Sequence, residues 1–158
     1  MRVLGIDPGT HRMGFGILDS NGQNYKLVIC GTIRAAVKDP IAKRLLHMFE
    51  SLQKNMQGYQ PDVVALESLF FAKDIRAVER IGEARACAML AASKQGIEVI
   101  EYAPTEVKKS VTGNGRATKE QVQFMVKRLL NLKEAPALDA SDALAIAMCH
   151  IHSAKRKI

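Results

Sequence analysis

The chain has 158 residues, 47% of them hydrophobic and 25% charged, and its formal net charge is +7. Such a length and composition are typical of one globular domain with a hydrophobic core, and no apolar run approaches the about 20 residues of a membrane-spanning helix. The N-terminus lacks a secretory signal pattern, and the positive charge favours a polyanionic partner, with nucleic acid as the first candidate.

The N-terminal part of the chain predicts three strands joined as an antiparallel meander. The apolar run Val3–Asp7 forms the first strand and is followed by a turn at Pro8-Gly9. A second strand is expected near residues 13–18. The pair Asn21-Gly22 is a strong turn signal, and a third strand is predicted over residues 25–34.

A helix and a buried strand are predicted next. Asp39 and Pro40 have the spacing of an N-cap and a first-turn proline. Apolar residues then recur with the helical period, and Gly58 is expected to end the helix. The short apolar run 63–66 leads directly into Glu67. Such a continuous run is typical of a strand buried on both faces, which we expect to lie parallel to the first strand.

The C-terminal half of the chain alternates helices with one further strand. Thr118 and Gln121 have the spacing of a capping box, which starts one of these helices. We predict, in chain order, a helix over about 74–94, a strand over 98–102, a short helix after Pro104, a helix from Thr118 and a last helix from near Asp139 toward Ser153. Three hairpin-linked strands followed by alternating helices and strands indicate an α/β domain with a mixed sheet.

The three cysteines indicate the compartment in which the protein works. Cys30, Cys87 and Cys149 are odd in number and stand in apolar surroundings, so we predict free thiols in a reducing, cytoplasmic environment. The basic end of the chain, about residues 154–158, is expected to be a disordered tail.

Two carboxylates follow buried strands in the same way. Asp7 ends the first strand and Glu67 ends the fourth, so both side chains emerge at one end of the sheet if these strands are neighbours. Asp139 and Asp142 are three residues apart at a helix start, which puts them on one helix face. A lone buried carboxylate costs several kcal/mol unless an arginine, backbone N–H groups or a metal ion compensates its charge.

The combination of these acids favours a metal site over separate structural roles. Taken singly, Asp139 is most simply an N-cap, Asp142 a first-turn residue stabilised by the helix dipole, and Glu67 a turn residue. Together with Asp7 they form a set of oxygen ligands without a nearby histidine or cysteine cluster, which suits Mg²⁺ or Mn²⁺ better than zinc. Two such ions about 4 Å apart are the apparatus for phosphodiester hydrolysis.

Four blocks of the sequence resemble the RuvC family of Holliday-junction resolvases. The blocks are GIDPGTHRMGFG, VALESLFF, VKKSVTGNGRATKEQV and LDASDALAIAMCH, and they cover essentially the whole chain in the family's order. The resemblance implies a ribonuclease-H-like fold, with a five-stranded mixed sheet flanked by helices, for a single nuclease domain over residues 1–158. It also implies a Mg²⁺-dependent, structure-specific endodeoxyribonuclease that nicks opposed strands of a four-way DNA junction symmetrically and leaves 5′-phosphates.

By the same resemblance, the catalytic and metal-binding residues are the four acids Asp7, Glu67, Asp139 and Asp142. Two Mg²⁺ ions per active site are expected, and Mn²⁺ is expected to substitute for them. Asp7 is predicted to bridge both ions because it lies in mid-sheet between the other ligands. Glu67 would then hold one ion, and the pair of acids near the C-terminus the other.

Basic and aromatic residues near these acids are predicted to contact DNA. Lys108 and Lys119 match basic positions that the family places around the scissile strand, where a lysine screens the phosphate. Arg116 belongs to the same basic stretch. For Phe70 and Phe71 we expect one ring to be exposed for base stacking and the other to be buried, and the family pattern favours Phe70 as the DNA contact.

The symmetry of a four-way junction predicts a homodimer. Resolution needs two related cuts and one chain carries one group of acids, so a C₂ dimer supplies two matching sites. The helix over about 74–94 carries a broad apolar stripe and is the candidate interface. The resemblance further implies the branch-migration proteins RuvA and RuvB as partners.

Three other functions remain open from the sequence. The motif GIDPGT also resembles the phosphate-binding hairpin of actin-like ATPases, although those proteins need two such domains around a cleft. A junction-binding module without chemistry would lack one of the carboxylates, and all four are present. A ribonuclease-H-fold nuclease that acts on another substrate, such as an RNA–DNA hybrid or a ribosomal RNA precursor, is also compatible with the sequence.

Overall fold

The computed structural model describes residues 1–22, 24–69 and 73–155. The predicted strands and helices are all present, at closely similar boundaries. In chain order the elements are β1 (Arg2–Asp7), β2 (Arg12–Ser20), β3 (Tyr25–Arg34), α1 (Ile41–Tyr59), β4 (Val63–Glu67), α2 (Ile75–Lys94), β5 (Glu98–Tyr102), α3 (Pro104–Thr112), α4 (Lys119–Leu129) and α5 (Leu138–Lys155).

The five strands form one mixed sheet in the order β3-β2-β1-β4-β5. The meander pairs β1 with β2 and β2 with β3 in antiparallel register, whereas β4 lies parallel to β1 and β5 parallel to β4. Both the predicted meander and the predicted parallel pairing of the first and fourth strands are therefore confirmed. As a result, β1 lies at the centre of the sheet and ends at the same edge as β4.

Alternate residues of β1 point into two separate hydrophobic cores. Leu4 and Ile6 pack with α1 and α2 on one face of the sheet, and Val3 packs with α3, α4 and α5 on the other. Residues 143–149 of α5 are all buried, which explains why the sequence of this helix is apolar on every side.

Two glycines allow α5 to lie directly on the sheet. A Cβ atom at Gly5 would stand 2.0 Å from the carbonyl oxygen of Ala143, and one at Gly14 would stand 2.0 Å from the carbonyl oxygen of Asp139. No side chain fits in such a space, so glycine is required where the helix backbone approaches the strand backbone. The start of α5 is thereby held against the centre of the sheet.

Both ends of α1 differ from the sequence-based prediction. Pro40 takes the N-cap position in place of Asp39, whose carboxylate accepts a hydrogen bond from Lys43 Nζ at 3.2 Å. The prediction that Gly58 ends the helix is also wrong, because the helix continues past it and ends where Gln60 adopts a left-handed conformation with φ 48°. A glycine costs a helix only about 1 kcal/mol relative to alanine, so it does not by itself end one.

The chain end is helical over part of the segment that was expected to be a tail. Ala154 and Lys155 belong to the last turn of α5, and residues 156–158 lie outside the described residues. Within the described ranges, no helix combines the length and the hydropathy that a bilayer crossing demands.

Candidate active site

Two neighbouring strand ends bring the first two predicted acids together. Asp7 is the last residue of β1 and Glu67 the last of β4, and the residues that precede them, Ile6 and Leu66, are register partners. Because parallel strands end at the same edge of a sheet, both carboxylates emerge there side by side. Arg85 of α2 fixes the end of β4 by donating a hydrogen bond from Nε to the Glu67 carbonyl oxygen at 3.0 Å; the sequence analysis had not selected it.

The first turns of α5 supply the other two acids. Asp139 and Asp142 follow the start of the helix at Leu138. Gly14 pairs with Asp7 across β1 and β2, and it is also the glycine on which the backbone of Asp139 rests. One close backbone contact therefore fixes the helix that carries two acids against the strand that carries a third.

Three of the four acids line one cavity together with two lysines. The cavity has a volume of about 170 Å³. Its charged lining residues are Asp7, Glu67, Asp142, Lys108 and Lys119, and its other walls are Pro104, Val107, Val122 and Ala145. The largely apolar walls strengthen the electrostatic interactions between the charged groups, because they keep the local dielectric low.

Asp7 is the acid that is hardest to ionise. Burial raises the pKa of its carboxyl from the usual 3.8 to about 7, and the negative charges of Asp142 and Glu67 add to this shift. The positive charge of Lys119 opposes the shift but does not cancel it. A bound cation would remove most of this electrostatic cost, because it stabilises the ionised carboxylate.

Lys119 compensates part of the negative charge in the cavity. Its Nζ lies 3.2 Å from Asp142 Oδ2. Burial raises the pKa of both Glu67 and Asp142, and Lys119 lowers it in each case. For the lysine itself, burial lowers the pKa, but the surrounding acids outweigh burial and the net pKa is raised. Lys119 is therefore charged at neutral pH.

Asp139 does not line the cavity and pairs with an arginine that the sequence analysis missed. Arg12 Nε lies 3.6 Å from Asp139 Oδ2. Arg12 opens β2 and lies two residues before Gly14, so both residues share one face of the strand. The alternation of side chains along β2 predicts that Arg12 and Gly14 share a face. The sequence does not predict that the start of α5 covers that face.

The four acids lie around the end of β1 without enclosing a common point. In the three described ranges of the chain, no group of three or more His, Cys, Asp or Glu side chains is arranged to hold a metal ion. Two of the four carboxylates pair with a cation instead, Asp142 with Lys119 and Asp139 with Arg12. The donor set still fits a hard divalent cation, because all four side chains offer carboxylate oxygens and burial raises the pKa values of three of them.

The predicted DNA contacts lie in different parts of the structure. Lys108 and Lys119 both line the cavity beside the acids, and their contact with DNA stays a prediction. Arg116 is exposed in the loop between α3 and α4 and is not part of the cavity lining. Phe70 and Phe71 lie outside the described residues, so the prediction that one ring is exposed and the other buried stays a prediction.

The raised pKa of Asp7 predicts that metal binding depends on pH. Because this pKa is about 7, a divalent cation that binds the carboxylate would have to displace a proton at lower pH. We expect the affinity to fall by up to about tenfold per pH unit below 7 and to level off above it. Isothermal titration of the DNA-free protein with Mg²⁺ at about pH 6 and about pH 8 measures the effect.

The raised pKa of Asp7 also determines whether the stability of the metal-free protein rises or falls with pH. The folded-state pKa of Asp7 lies above its usual value of 3.8, so the folded chain binds more protons than the unfolded chain between these two values. The free energy of unfolding should therefore decrease as pH rises from about 4 to about 7. The variant Asp7→Asn should lose the Asp7 contribution to the pH dependence of both Mg²⁺ affinity and stability. Equal Mg²⁺ affinity of the unsubstituted protein at about pH 6 and about pH 8 would contradict the assignment of Asp7 as a metal ligand.

Comparison with known proteins identifies the family of the chain. The family model for crossover junction endodeoxyribonuclease RuvC matches residues 3–150. The chain belongs to the RuvC family. A RuvC from Caldicellulosiruptor saccharolyticus is 48% identical to it over 155 residues, which cover 97% of this chain and 93% of that protein. The family resemblance of the four sequence blocks is thus confirmed.

Solved RuvC structures share the fold. The RuvC of Thermus thermophilus, solved in complex with a Holliday junction substrate, matches with a TM-score of 0.93 at 32% identity and covers 99% of this chain and 96% of its own. The yeast mitochondrial Holliday junction resolvase matches with a TM-score of 0.69 at 14% identity, over 98% of this chain and 80% of its own, which is a likeness of fold alone. The predicted ribonuclease-H-like fold with a five-stranded mixed sheet is confirmed.

Proposed function

We propose that this RuvC-family chain resolves four-way DNA junctions by metal-dependent hydrolysis, cutting two opposed strands symmetrically and leaving 5′-phosphate ends. Its family makes it an endodeoxyribonuclease of the crossover-junction class. The observation that carries the proposal is the cavity at the ends of β1 and β4, where three carboxylates meet two lysines. Such a site suits both a divalent cation and a phosphate group of DNA.

We assign two Mg²⁺ ions to the four acids, with Mn²⁺ as a substitute. Asp7 ends β1 beside Glu67 on β4, and its register partner Gly14 contacts the backbone of Asp139, so the Asp7 carboxylate would be shared by both ions. Glu67 would hold one ion, and Asp139 with Asp142 the other. Bound ions would supply an activated water molecule and charge stabilisation for the leaving 3′-oxygen. The contribution of the chain is to hold the oxygen ligands on the sheet and on the helix α5.

We assign the phosphate of the cut strand to Lys108 and Lys119. Both line the cavity beside the acids, and the side chain of Lys119 is 64% exposed, so its ammonium group is accessible to DNA while it stays close to Asp142. Arg116, exposed in the adjacent loop, would extend the basic surface along the backbone. From the sequence alone, Phe70 is assigned to base stacking at the opened junction.

A cleavage assay on matched substrates tests this function. A synthetic four-way junction, a linear duplex of the same arms and an RNA–DNA hybrid are incubated with the protein in Mg²⁺ and in EDTA. We expect paired nicks at symmetric positions of the junction in Mg²⁺, religation of the ends by DNA ligase, and no cutting in EDTA. Preferential cutting of the hybrid would instead favour the alternative of a ribonuclease-H-fold nuclease with another substrate.

We further propose that the protein acts as a homodimer through α2. One side of this helix is buried on its own sheet, with Ala84, Ala88 and Ala91 fully buried. Several large apolar side chains of the same helix are nevertheless exposed. They include Ile75, Ile81, Met89 and Leu90, which are 82%, 41%, 37% and 64% exposed. Several exposed large apolar side chains on one helix are typical of an interface.

A charge placed among these side chains should split the dimer. We expect Leu90→Glu to convert a dimer at micromolar concentration into a monomer, because burying the carboxylate costs several kcal/mol, and to abolish paired cutting. Sedimentation velocity and the ratio of paired to single nicks measure the two effects. Leu129→Glu, on an exposed leucine of α4 across the sheet, is the matched control. A Leu90→Glu variant that stays dimeric would contradict this interface.

The remaining proposals concern partners, location and domain structure. RuvA and RuvB are proposed as the branch-migration partners on the strength of the family. A cytoplasmic location is proposed because the substrate is DNA and because Cys30, Cys87 and Cys149, which all lie in the described part of the chain, are not joined in disulfides. The chain is proposed to act as one domain over residues 1–158.

A further inference from the structure

We propose that Arg12 is a phosphate contact for the cut strand and that it remains paired with Asp139 until a metal ion takes that carboxylate. The inference rests on the proposed metal and DNA sites and goes beyond them, because it assigns a residue to the side of the acids that faces β2. It also makes the protein's contact with DNA depend on whether metal is bound.

The position of Arg12 is set by the backbone. The strand β2 begins at Arg12, and Gly14, two residues later, lies against the carbonyl oxygen of Asp139. Since residues two apart share a strand face, Arg12 projects on the side of the sheet where α5 begins. It reaches Asp139 Oδ2 from Nε at 3.6 Å.

This ion pair is weak enough to exchange. The side chain of Arg12 is 62% exposed and that of Asp139 is 26% exposed, and exposed pairs contribute little stability because water screens them. A divalent cation is a stronger partner for a carboxylate than an exposed guanidinium. When Asp139 binds metal, Arg12 therefore loses its partner without leaving the site.

Once Arg12 is released, positively charged side chains flank the acids on two sides and complement the negative charge of a bound DNA strand. Lys108 and Lys119 line the cavity from α3 and α4, whereas Arg12 stands at the start of β2. Arg34 is its register partner on β3 and is also exposed. Two arginines directly across a sheet repel each other, and a phosphate between them would relieve that repulsion. Arginine is also suited to grip a phosphate with two parallel hydrogen bonds.

The first arm of the test measures metal binding without DNA. Isothermal titration compares the unsubstituted protein with Arg12→Gln, Arg12→Lys and Lys54→Gln. We expect Arg12→Gln to bind Mg²⁺ about two- to fivefold more tightly, because no cation then competes for Asp139. Arg12→Lys keeps the competing charge and should show little change. Lys54 is an exposed residue of α1 on the other face of the sheet, so Lys54→Gln is a control for the loss of one charge.

The second arm measures affinity for a four-way junction in EDTA and in Ca²⁺, which takes the same oxygen ligands as Mg²⁺. A denaturing gel verifies that the DNA stays intact. We expect Arg12→Gln to weaken junction binding about three- to tenfold in Ca²⁺ and to lower the salt dependence by about one phosphate contact. In EDTA, where Asp139 retains Arg12, the loss should be no more than about twofold.

The outcomes separate this inference from the proposed function. Tighter Mg²⁺ binding together with a junction defect that is larger in Ca²⁺ than in EDTA supports the inference. Tighter Mg²⁺ binding with an unchanged junction affinity overturns it, because Arg12 would then be only a counterion of Asp139. An equal junction defect in both conditions also overturns it, since metal would not release the arginine. If the unsubstituted protein neither binds nor cuts junctions, the proposed function itself fails.

Discussion

Asp7→Asn should abolish nicking of a four-way junction, with a loss of roughly a thousandfold or more, while junction binding is kept or tightened. The amide preserves the shape of the side chain but is a poor ligand for a divalent cation, and metal charge stabilisation contributes several kcal/mol to such a reaction. Removing a negative charge beside the DNA backbone also lowers repulsion of phosphate. In the metal-free protein the same change should raise the melting temperature at pH 8, because it removes a buried carboxylate whose pKa is raised to about 7.

Single-turnover cleavage and electrophoretic mobility shift of the same junction separate the two effects. Asp62→Asn is the matched control, since Asp62 is exposed and precedes β4 at the opposite end of the sheet from Glu67. That control should cut at the rate of the unsubstituted protein. A near-normal cleavage rate for Asp7→Asn in Mg²⁺ would show that Asp7 does not hold the catalytic ion.

The strand-end acids could be recognised in the sequence because their setting is local. Asp7 and Glu67 each follow a short run that is apolar at every position, and only a strand buried on both faces requires such a run. The order of the sheet, with β1 beside β4, then places the two carboxylates at one edge. The capping box at Thr118 was equally local, and its side chain does accept a hydrogen bond from the Gln121 N–H at 3.2 Å.

Features that depend on contacts between distant segments could not be predicted in the same way. The pairing of Arg12 with Asp139 needs the knowledge that α5 covers the face of β2 on which both Gly14 and the arginine lie. Strand alternation defines that face but not the element that covers it. The end of α1 was misplaced for a related reason: Gly58 can be accommodated in a helical turn, and the left-handed residue that ends the helix is Gln60, a residue type that rarely marks a helix end.

Gly14→Ala should reduce cleavage about a hundredfold while most of the protein stays folded. The new Cβ would lie 2.0 Å from the carbonyl oxygen and 2.5 Å from the carbonyl carbon of Asp139, and neither backbone atom can rotate away as a flexible side chain could. The start of α5 must therefore move outward, and it carries Asp139 and Asp142 away from Asp7, the register partner of Gly14. A displacement of about 1 Å in a catalytic constellation can cost a hundredfold in rate, whereas overpacking of this kind costs about 1–3 kcal/mol of stability.

The measurement combines a melting curve with single-turnover cleavage well below the melting temperature, so that a loss of rate is not a loss of folded protein. Gly58→Ala is the matched control, because a Cβ at Gly58 meets no atom within 4 Å and alanine favours a helix more than glycine does. It should cut normally and melt slightly higher. Gly5→Ala makes an equally short contact, 2.0 Å from the carbonyl oxygen of Ala143 farther along α5, so it should lower stability comparably. If Gly14→Ala cuts at the normal rate although its stability falls, the positions of the α5 acids do not limit catalysis, and the assignment of Asp139 and Asp142 to the metal site is wrong.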